Sequence, residues 1–317
     1  MKKIHSKNIC YLLLADLIWG AAFVAQRIGG DATGPYTFNC IRSFLGCVVL
    51  LPLIWFRAGK QNDSGRRQSC NRDRKNLLRG GVLCGAALGF ASNLQQLGIT
   101  IGSSVGKAGF LTACYILLVP VLGIFLRKKV QWNVWLGVFF AVVGLYLLCI
   151  TDGYAIEEGD ILLLLCAFAF AVQILCIDHF APKVDPVELS CVEFLVCGIC
   201  SAFPMCAFEI SSGISEWCEG LGSINVWVPI LYAGICSSGI GYTLQIAGQR
   251  NFNPTIASLI MSLESVFSAI FGCILLNETM RPREILGCGV IFAAVILAQV
   301  KNTTTTASGI LSENRYP

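Results

Sequence analysis

Long apolar stretches alternate with short polar connections along this chain. Each stretch contains about 20 residues, the length that an α-helix needs to cross the hydrocarbon core of a bilayer. The pattern predicts ten transmembrane helices, at residues 8–28, 36–56, 77–99, 104–126, 131–151, 160–178, 187–208, 226–248, 254–276 and 284–301. The connections are short, except for those at 57–76 and 209–225.

The last five predicted helices repeat the first five. A shift of 150 residues without a gap aligns Leu94 with Leu244 and Gln95 with Gln245. Because five is an odd number, the second copy must cross the membrane in the opposite sense, as in many secondary transporters whose inverted repeats frame a site near the bilayer midplane. The predicted units are two five-helix repeats and a flexible cytoplasmic tail, at 8–151, 160–301 and 302–317.

The composition and the placement of charge agree with a membrane protein. Hydrophobic residues make up 55% of the chain and charged residues 13%, whereas a soluble domain carries about 25% charged residues. Of the 23 Lys and Arg residues, 18 fall on one predicted side and two on the other. Since basic residues accumulate in cytoplasmic loops, both chain ends are predicted to face the cytoplasm, and the basic 57–76 connection needs no nucleic-acid partner. We expect a multi-pass protein of the cell membrane.

The sequence argues against metal, cofactor and nucleotide chemistry. Cys197 and Cys200 form a C-x-x-C pair within an apolar helix, but the chain has no second such pair nearby and only two His residues, so core packing is the better interpretation and no metal or cofactor is expected. The segment before Lys107 imitates a phosphate-binding loop. Ile101 and Ala108 stand where that motif needs Gly and Ser or Thr, so no ATPase is predicted.

Several segments carry a resemblance to a known family. They are Trp19-Gly20, Arg42, Ala108–Leu148 and Ser258–Ala298, the last containing Leu-Glu-Ser-Val-Phe at 263–267. Together they resemble the EamA-type drug/metabolite transporters over roughly residues 8–300. The resemblance implies ten helices in two inverted halves around a central cavity, and substrates such as amino acids, related metabolites or nucleotide-linked sugars. One position departs from the family, which commonly has Glu at the end of the fourth helix, where this chain has Lys128 opposite Glu278.

Ionisable side chains within the predicted spans are the first candidates for transport, because they are costly in lipid unless paired or hydrated. Glu264, near the middle of the ninth span, could exchange a proton or pair with a substrate amine; the alternative is a structural hydrogen bond to a neighbouring helix. Lys107 could hold a carboxylate or phosphate, or extend to the outer interface. For Arg42 and Glu193, at equivalent places in two spans, anchoring of neighbouring helices is the preferred interpretation and ligand contact the alternative. Asp16 could pair locally.

Uncharged polar and aromatic residues form the second group of candidates. Helical spacing places Asn93 and Gln96 on one face of the third span, and Tyr242 and Gln245 on one face of the eighth. The remaining candidates are Gln95, Gln173, Trp19 and Tyr115. Amides in lipid need partners, either on other helices or in a hydrated substrate cavity. Gly81, Gly85 and Gly89 form a stripe of small residues that predicts close helix packing.

We therefore predict an all-α secondary transporter that moves a small, amino-acid-like organic metabolite by alternating access, with protons as a candidate coupling ion. Its partners would be the substrate and the lipid bilayer. A sensor or accessory membrane protein is the main alternative, and it would pack Glu264 and Gln245 into dry protein. A membrane-embedded enzyme is disfavoured by the scattered carboxylates and the two His residues, and a channel by the absence of a filter motif.

Overall fold

Within the residues described by the computed structural model, every secondary-structure element is helical. Those residues are 2–61, 70–101, 105–128, 130–149, 158–211, 213–276 and 280–299. The first repeat contains α1 (Lys2–Thr33), α2 (Pro35–Gln61), α3 (Cys70–Thr100), α4 (Val105–Ala113), α5 (Tyr115–Phe125) and α6 (Trp132–Cys149). The second contains α7 (Glu158–Phe180), α8 (Pro186–Pro204), the π-helical segment π1 (Met205–Ile210), α9 (Ile214–Gly222), α10 (Ile224–Leu231), the π-helical segment π2 (Tyr232–Gly241), α11 (Tyr242–Gln249), α12 (Pro254–Met261), α13 (Leu263–Leu276) and α14 (Pro282–Gln299).

Eight helical segments of the described chain are long and apolar enough to cross a membrane. They are α1, α2, α3, α4 with α5, α7, α8 with π1, α10 with π2 and α11, and α12 with α13. The fifth predicted span is a shorter apolar helix, Trp132–Leu148, and the tenth lies in α14. The all-helical membrane fold is therefore confirmed, while the count of ten spans stays a prediction.

The packing of α6 against α14 shows that the repeats are inverted. A Cβ atom on Gly144 would lie 2.9 Å from the carbonyl oxygen of Gly287, and one on Gly137 would lie 3.0 Å from that of Ala294. Further towards the start of α6, Asn133 donates a hydrogen bond of 3.2 Å to the carbonyl of Ala298. Residue numbers thus fall along α14 as they rise along α6. These two helices occupy equivalent places in the repeats, so equivalent helices run antiparallel.

The other contacts between helices also fit two inverted repeats related by a pseudo-twofold axis. In the first repeat, α3 packs on α7 and α8; in the second, π2 and α11 pack on α1, and π2 on α2. The predicted glycine stripe lies against α8, with Gly81 facing Val192 and Gly85 facing Val196. There the numbers rise together, so α3 and α8 run parallel, as the third and seventh spans of an inverted repeat must.

The distribution of side chains is that of a protein surrounded by lipid. Large apolar side chains lie outside, for example Phe125 and Phe203, which are 80% and 79% exposed. Gln173 and Glu193 are fully buried. Because polar groups in hydrocarbon need hydrogen-bond partners, they concentrate between the helices.

Two Pro-containing helix starts determine where the chain re-enters the bundle. Asp185 caps α8, and its carboxylate accepts a hydrogen bond of 2.8 Å from the backbone N–H of Val187. Asn253 caps α12 through a bond of 2.9 Å from Thr255. In both cases Pro follows the cap, at the helix position where its missing N–H costs nothing.

The two long connections contain more helix than the hydropathy pattern indicates. In the 57–76 connection, α2 continues to Gln61 and α3 begins at Cys70, because a helix of polar residues can continue into water beyond the membrane. The 209–225 connection contains α9 and begins with Glu209, whose carboxylate accepts hydrogen bonds of 2.8 and 2.7 Å from the first backbone N–H groups of α2. An acid at a helix N-terminus stabilises the helix, because its negative charge interacts favourably with the helix dipole. The predicted tail 302–317 lies outside the described residues.

Candidate functional site

A cavity lies inside the bundle, with walls from both repeats. It holds about 510 Å³ of empty space, part of it open to the surroundings. The first repeat contributes Trp19, Phe23, Gln26, Arg42, Gln95, Thr112 and Tyr115, and the second contributes Phe170, Gln173, Ile174, Ser237, Tyr242, Gln245, Met261 and Glu264. A predominantly apolar and aromatic wall with a few polar groups is the usual composition of a small-molecule site.

Most of the predicted site residues meet in this cavity. Glu264, Gln95, Gln245, Tyr242, Gln173, Trp19 and Tyr115 all line it. They come from α1, α3, α5, α7, α11 and α13, which are distant in sequence. The structure therefore brings together seven of the ten residues that the sequence singles out.

Two interrupted helices position the cavity residues at the bundle centre. Cys114 separates α4 from α5, and Ser262 separates α12 from α13. The Ser262 hydroxyl donates to the carbonyl three residues earlier at 2.8 Å, and the Cys114 thiol to the carbonyl four residues earlier at 3.4 Å. Such bonds compete with the helix ladder and bend it. Each break places a cavity residue in the next helical turn, Tyr115 in α5 and Glu264 in α13.

Glu264 is the acid of the cavity. It is 9% exposed, and no hydrogen bond or ion pair within the described chain involves its carboxyl group. The ionisable groups that interact with it electrostatically are Asp16, Tyr115, Cys166 and Tyr242. A carboxyl group without a protein partner, in contact with a cavity, can bind a proton or a cationic group of a ligand.

A chain of amides crosses the cavity wall. Gln245 donates a hydrogen bond of 3.3 Å to the carbonyl oxygen of Gln173, and the Gln173 amide nitrogen donates one of 2.8 Å to Glu193. On another helix, Gln95 donates to the Thr112 hydroxyl at 3.4 Å. Two of these amides occupy positions related by the repeat, Gln95 and Gln245, so each half of the protein supplies a polar group to the cavity.

Aromatic rings form the apolar part of the wall. The rings of Trp19 and Tyr242 are 4.8 Å apart between centroids, and Tyr242 also contacts Phe194 edge to face at 5.1 Å. Tyr115 and Phe170 meet edge to face at 6.4 Å. These rings hold one another in place through packing, and their faces offer apolar surface to a ligand.

Asn93 and Gln96 serve helix packing, and neither lines the cavity. Asn93 accepts hydrogen bonds from Asn39 at 3.1 Å and from Ser201 at 3.0 Å, and so joins α2, α3 and α8. Gln96 donates to the backbone carbonyl of Gln26 at 3.1 Å. Lys107 lies in α4, and its side chain falls outside the described part of the structure.

The two expectations for Arg42 and Asp16 are wrong. Arg42 lines the cavity and anchors no neighbouring helix through a hydrogen bond or ion pair among the described residues. Arg42 and Glu193 lie at equivalent depths in their spans. The depth of a residue does not determine which side of its helix faces the cavity. Asp16 does not pair locally: it is fully buried, and neither carboxyl oxygen has a hydrogen-bond partner in the described chain. Glu193 behaves as expected, since it anchors Gln173.

Two further cavity residues, Gln26 and Thr112, could have been predicted from helical spacing. Phe23 follows Trp19 by four residues and Gln26 follows Phe23 by three, so the three share one face of α1. Thr112 precedes Tyr115 by three residues. A search for polar residues on the same face as each aromatic candidate would have found both.

An ion pair joins the end of the fourth predicted span to the end of α7. Lys128, which departs from the family pattern, pairs with Asp178 at the end of α7. Burial lowers the pKa of the Lys128 ammonium. The equivalent Glu278 lies outside the described residues.

Comparison with known proteins assigns the fold to a family. The EamA-like transporter family matches residues 6–150 and again residues 157–299. The chain belongs to the EamA-like transporter family. Two matches in tandem, over almost the whole chain, confirm the internal repeat and the resemblance noted in the sequence.

Several relatives of this chain are named uncharacterized transporters. It is 29% identical over 305 residues to an uncharacterized transporter of Archaeoglobus fulgidus, with 92% of this chain and 85% of that protein covered. It is 24% identical over 297 residues to a chloroplastic WAT1-related protein of Arabidopsis thaliana, with 90% and 68% covered. A solved crystal structure shares the fold at a TM-score of 0.67 and 16% identity, covering 90% of this chain and 96% of that one. The chain is thus a multi-pass membrane protein of a transporter family, and these names indicate transport rather than enzyme chemistry.

Proposed function

We propose that this protein is a secondary transporter of a small, amino-acid-like organic metabolite that works by alternating access around the central cavity. One observation carries the proposal: a cavity lined by both inverted repeats contains an acid without a protein partner, Glu264, among amides and aromatic rings. Inverted repeats that share a central site can expose it to either side by rocking against each other. We also infer that the protein lies in the cell membrane with both ends in the cytoplasm.

Proton coupling through Glu264 is part of the proposal. On one side of the membrane its carboxylate would take a proton from water, and on the other side it would release that proton to water. The carboxyl could also bind a substrate amine in its ionised form, so that proton and substrate compete for one group. Its nearness to the interruption between α12 and α13 supports a role in a moving part, because interrupted helices are easily bent.

The main alternative is a sensor or accessory protein without flux. It would have Glu264 and Gln245 packed into dry protein, whereas both residues line a cavity here. That arrangement favours a carrier.

A counterflow screen tests the proposed function. Purified protein is reconstituted in liposomes loaded with one member of a metabolite panel, and entry of the same labelled compound is measured. The panel contains amino acids, organic acids, amines, sugars and nucleosides. We expect protein-dependent counterflow of at least one amino-acid-like compound. If no compound moves faster than in protein-free liposomes, the protein is not a carrier for these classes and the proposal is wrong.

A further inference from the structure

Arg42 is a second charged side chain in the cavity, and it is almost completely buried. Only 5% of the Arg42 surface is exposed. The Nε atom has no hydrogen-bond partner in the described chain, and none of the ion pairs between described residues involves Arg42. The guanidinium carbon lies 5.7 Å from the centre of the Phe38 ring. Among the described residues, Arg42 therefore meets an aromatic ring but forms no ion pair with a carboxylate.

This environment is unusual for an arginine. A charge that is buried in low-dielectric surroundings is costly unless it is paired, and within a membrane it is found at functional positions. The ionisable groups that act on Arg42 are Tyr242 and Cys197, neither of which is a carboxylic acid. Arg27, another arginine within a candidate span, is satisfied within the protein: it pairs with Asp31 at 3.0 Å and donates to a backbone carbonyl at 3.1 Å.

The chemistry of the guanidinium group limits which ligand groups can pair with Arg42. Its N–H groups form a planar fork that matches the two oxygens of a carboxylate, and contact with the Phe38 ring restricts its plane. Arg42 is the one Lys or Arg among the described residues that line the cavity, and Glu264 lies in the same cavity. A singly charged carboxylate balances this cation, whereas a doubly charged phosphate would add an excess negative charge beside Glu264.

We propose that Arg42 binds the carboxylate of the transported substrate. With Glu264 available for an amine, the cavity fits a zwitterion of the α-amino acid type, and its aromatic wall fits an apolar side chain. This inference rests on the proposed function, and it adds the residue that recognises the carboxylate of the substrate.

A binding comparison on the purified full-length protein tests the inference. Thermal unfolding is followed with three sets of compounds at equal concentrations: the twenty proteinogenic amino acids, their carboxamides, and their decarboxylated amines. We expect at least one amino acid to raise the unfolding temperature. Its carboxamide and amine should bind about tenfold more weakly or worse, because each lacks the charged hydrogen bonds to Arg42.

Substitutions of arginine test which residue causes the preference for a carboxylate over a carboxamide. Arg42→Gln should remove the difference between an amino acid and its carboxamide, and Arg42→Lys should keep part of it as a point charge. Arg27→Gln is the matched control, since it also removes an arginine from a helix but leaves the cavity unchanged, so the preference should persist. If Arg42→Gln does not fold, the comparison of acid with carboxamide on the unaltered protein still decides.

Two results would overturn the inference: equal affinity of an acid and its carboxamide for the unaltered protein, or unchanged carboxylate preference in Arg42→Gln. No stabilisation by any amino acid would count against it as well. The proposed function fails separately. Counterflow of a compound without a carboxylate would refute the role of Arg42 and support a carrier, whereas the absence of any counterflow would refute the carrier itself.

Discussion

Glu193 accepts a hydrogen bond of 2.8 Å from the amide nitrogen of Gln173. Gln173 lines the cavity, whereas Glu193 does not. With its nitrogen engaged by Glu193 and its oxygen by Gln245, Gln173 cannot turn freely. Glu193 therefore determines the orientation of an amide that contacts the cavity, although it does not touch that space itself.

Removal of Glu193 should weaken ligand binding and stability together. In Glu193→Ala the Gln173 nitrogen loses its acceptor, and an unsatisfied buried donor costs about 1–3 kcal/mol. We expect a lower unfolding temperature and weaker ligand binding, both measured by thermal unfolding with and without a bound metabolite. Glu193→Gln is the control: its side-chain oxygen can still accept the bond, so it should resemble the unaltered protein. An unaffected Glu193→Ala variant would show that this bond does not order the wall.

The antiparallel contact between α6 and α14 predicts that a side chain at Gly287 lowers the stability of the protein. A Cβ atom on Gly287 would lie 2.7 Å from both the carbonyl oxygen of Gly144 and the backbone nitrogen of Leu148. These are backbone atoms that cannot move aside, so Gly287→Val should cost about 1–3 kcal/mol or more through overpacking. Gly289→Val, two residues along the same helix, meets nothing within 4 Å at its Cβ and should unfold near the temperature of the unaltered protein. Equal effects of the two substitutions would contradict the observed helix packing.

Much of the fold could be predicted because lipid imposes a simple rule. A chain that crosses hydrocarbon must satisfy its backbone in helices, so hydropathy alone finds most of them. The interruptions at Cys114 and Ser262 could not be predicted in this way, because both occur inside apolar stretches and depend on local bonds from side chain to backbone. The helix α9 in the 209–225 connection could not be predicted from hydropathy either, since it is too short to cross a membrane.

The candidate site could be predicted by residue type but only partly by position. Gln95 and Gln96 are adjacent amides in the same helix, yet one lines the cavity and the other bonds to the backbone of α1. The difference is a rotation of 100° around the helix axis, and the sequence does not give the absolute rotation of a helix that is apolar on all sides. For the same reason Arg42 was expected at a helix–helix contact instead of in the cavity.

Membrane orientation can be tested with thiol labelling. Cys218 in α9 is exposed and lies on the predicted outer side, and Lys183, also exposed, lies on the predicted cytoplasmic side. A membrane-impermeant maleimide should label Cys218 in intact cells, and Cys218→Ser should remove that label. A Lys183→Cys variant in a background with both Cys70→Ser and Cys218→Ser should be labelled only after the membrane is permeabilised. The reverse pattern would mean that the protein is inserted with both ends outside.

Substitution of Glu264 tests proton coupling. Glutamine resembles the protonated, neutral form of the side chain but cannot release a proton, so Glu264→Gln should lose accumulation driven by a pH gradient. Exchange of a transported compound without a gradient should persist, because it needs no net proton movement. The measurement is uptake into proteoliposomes with and without an imposed pH difference. Glu284→Gln is the matched control: Glu284 lies in α14, which contributes no residue to the cavity, and caps its own helix by accepting a hydrogen bond of 2.9 Å from the backbone of Arg281. A Glu264→Gln protein that keeps the full response to the pH gradient would show that the coupling proton binds elsewhere, and Asp16, which is buried and interacts electrostatically with Glu264, would then be the next acid to replace.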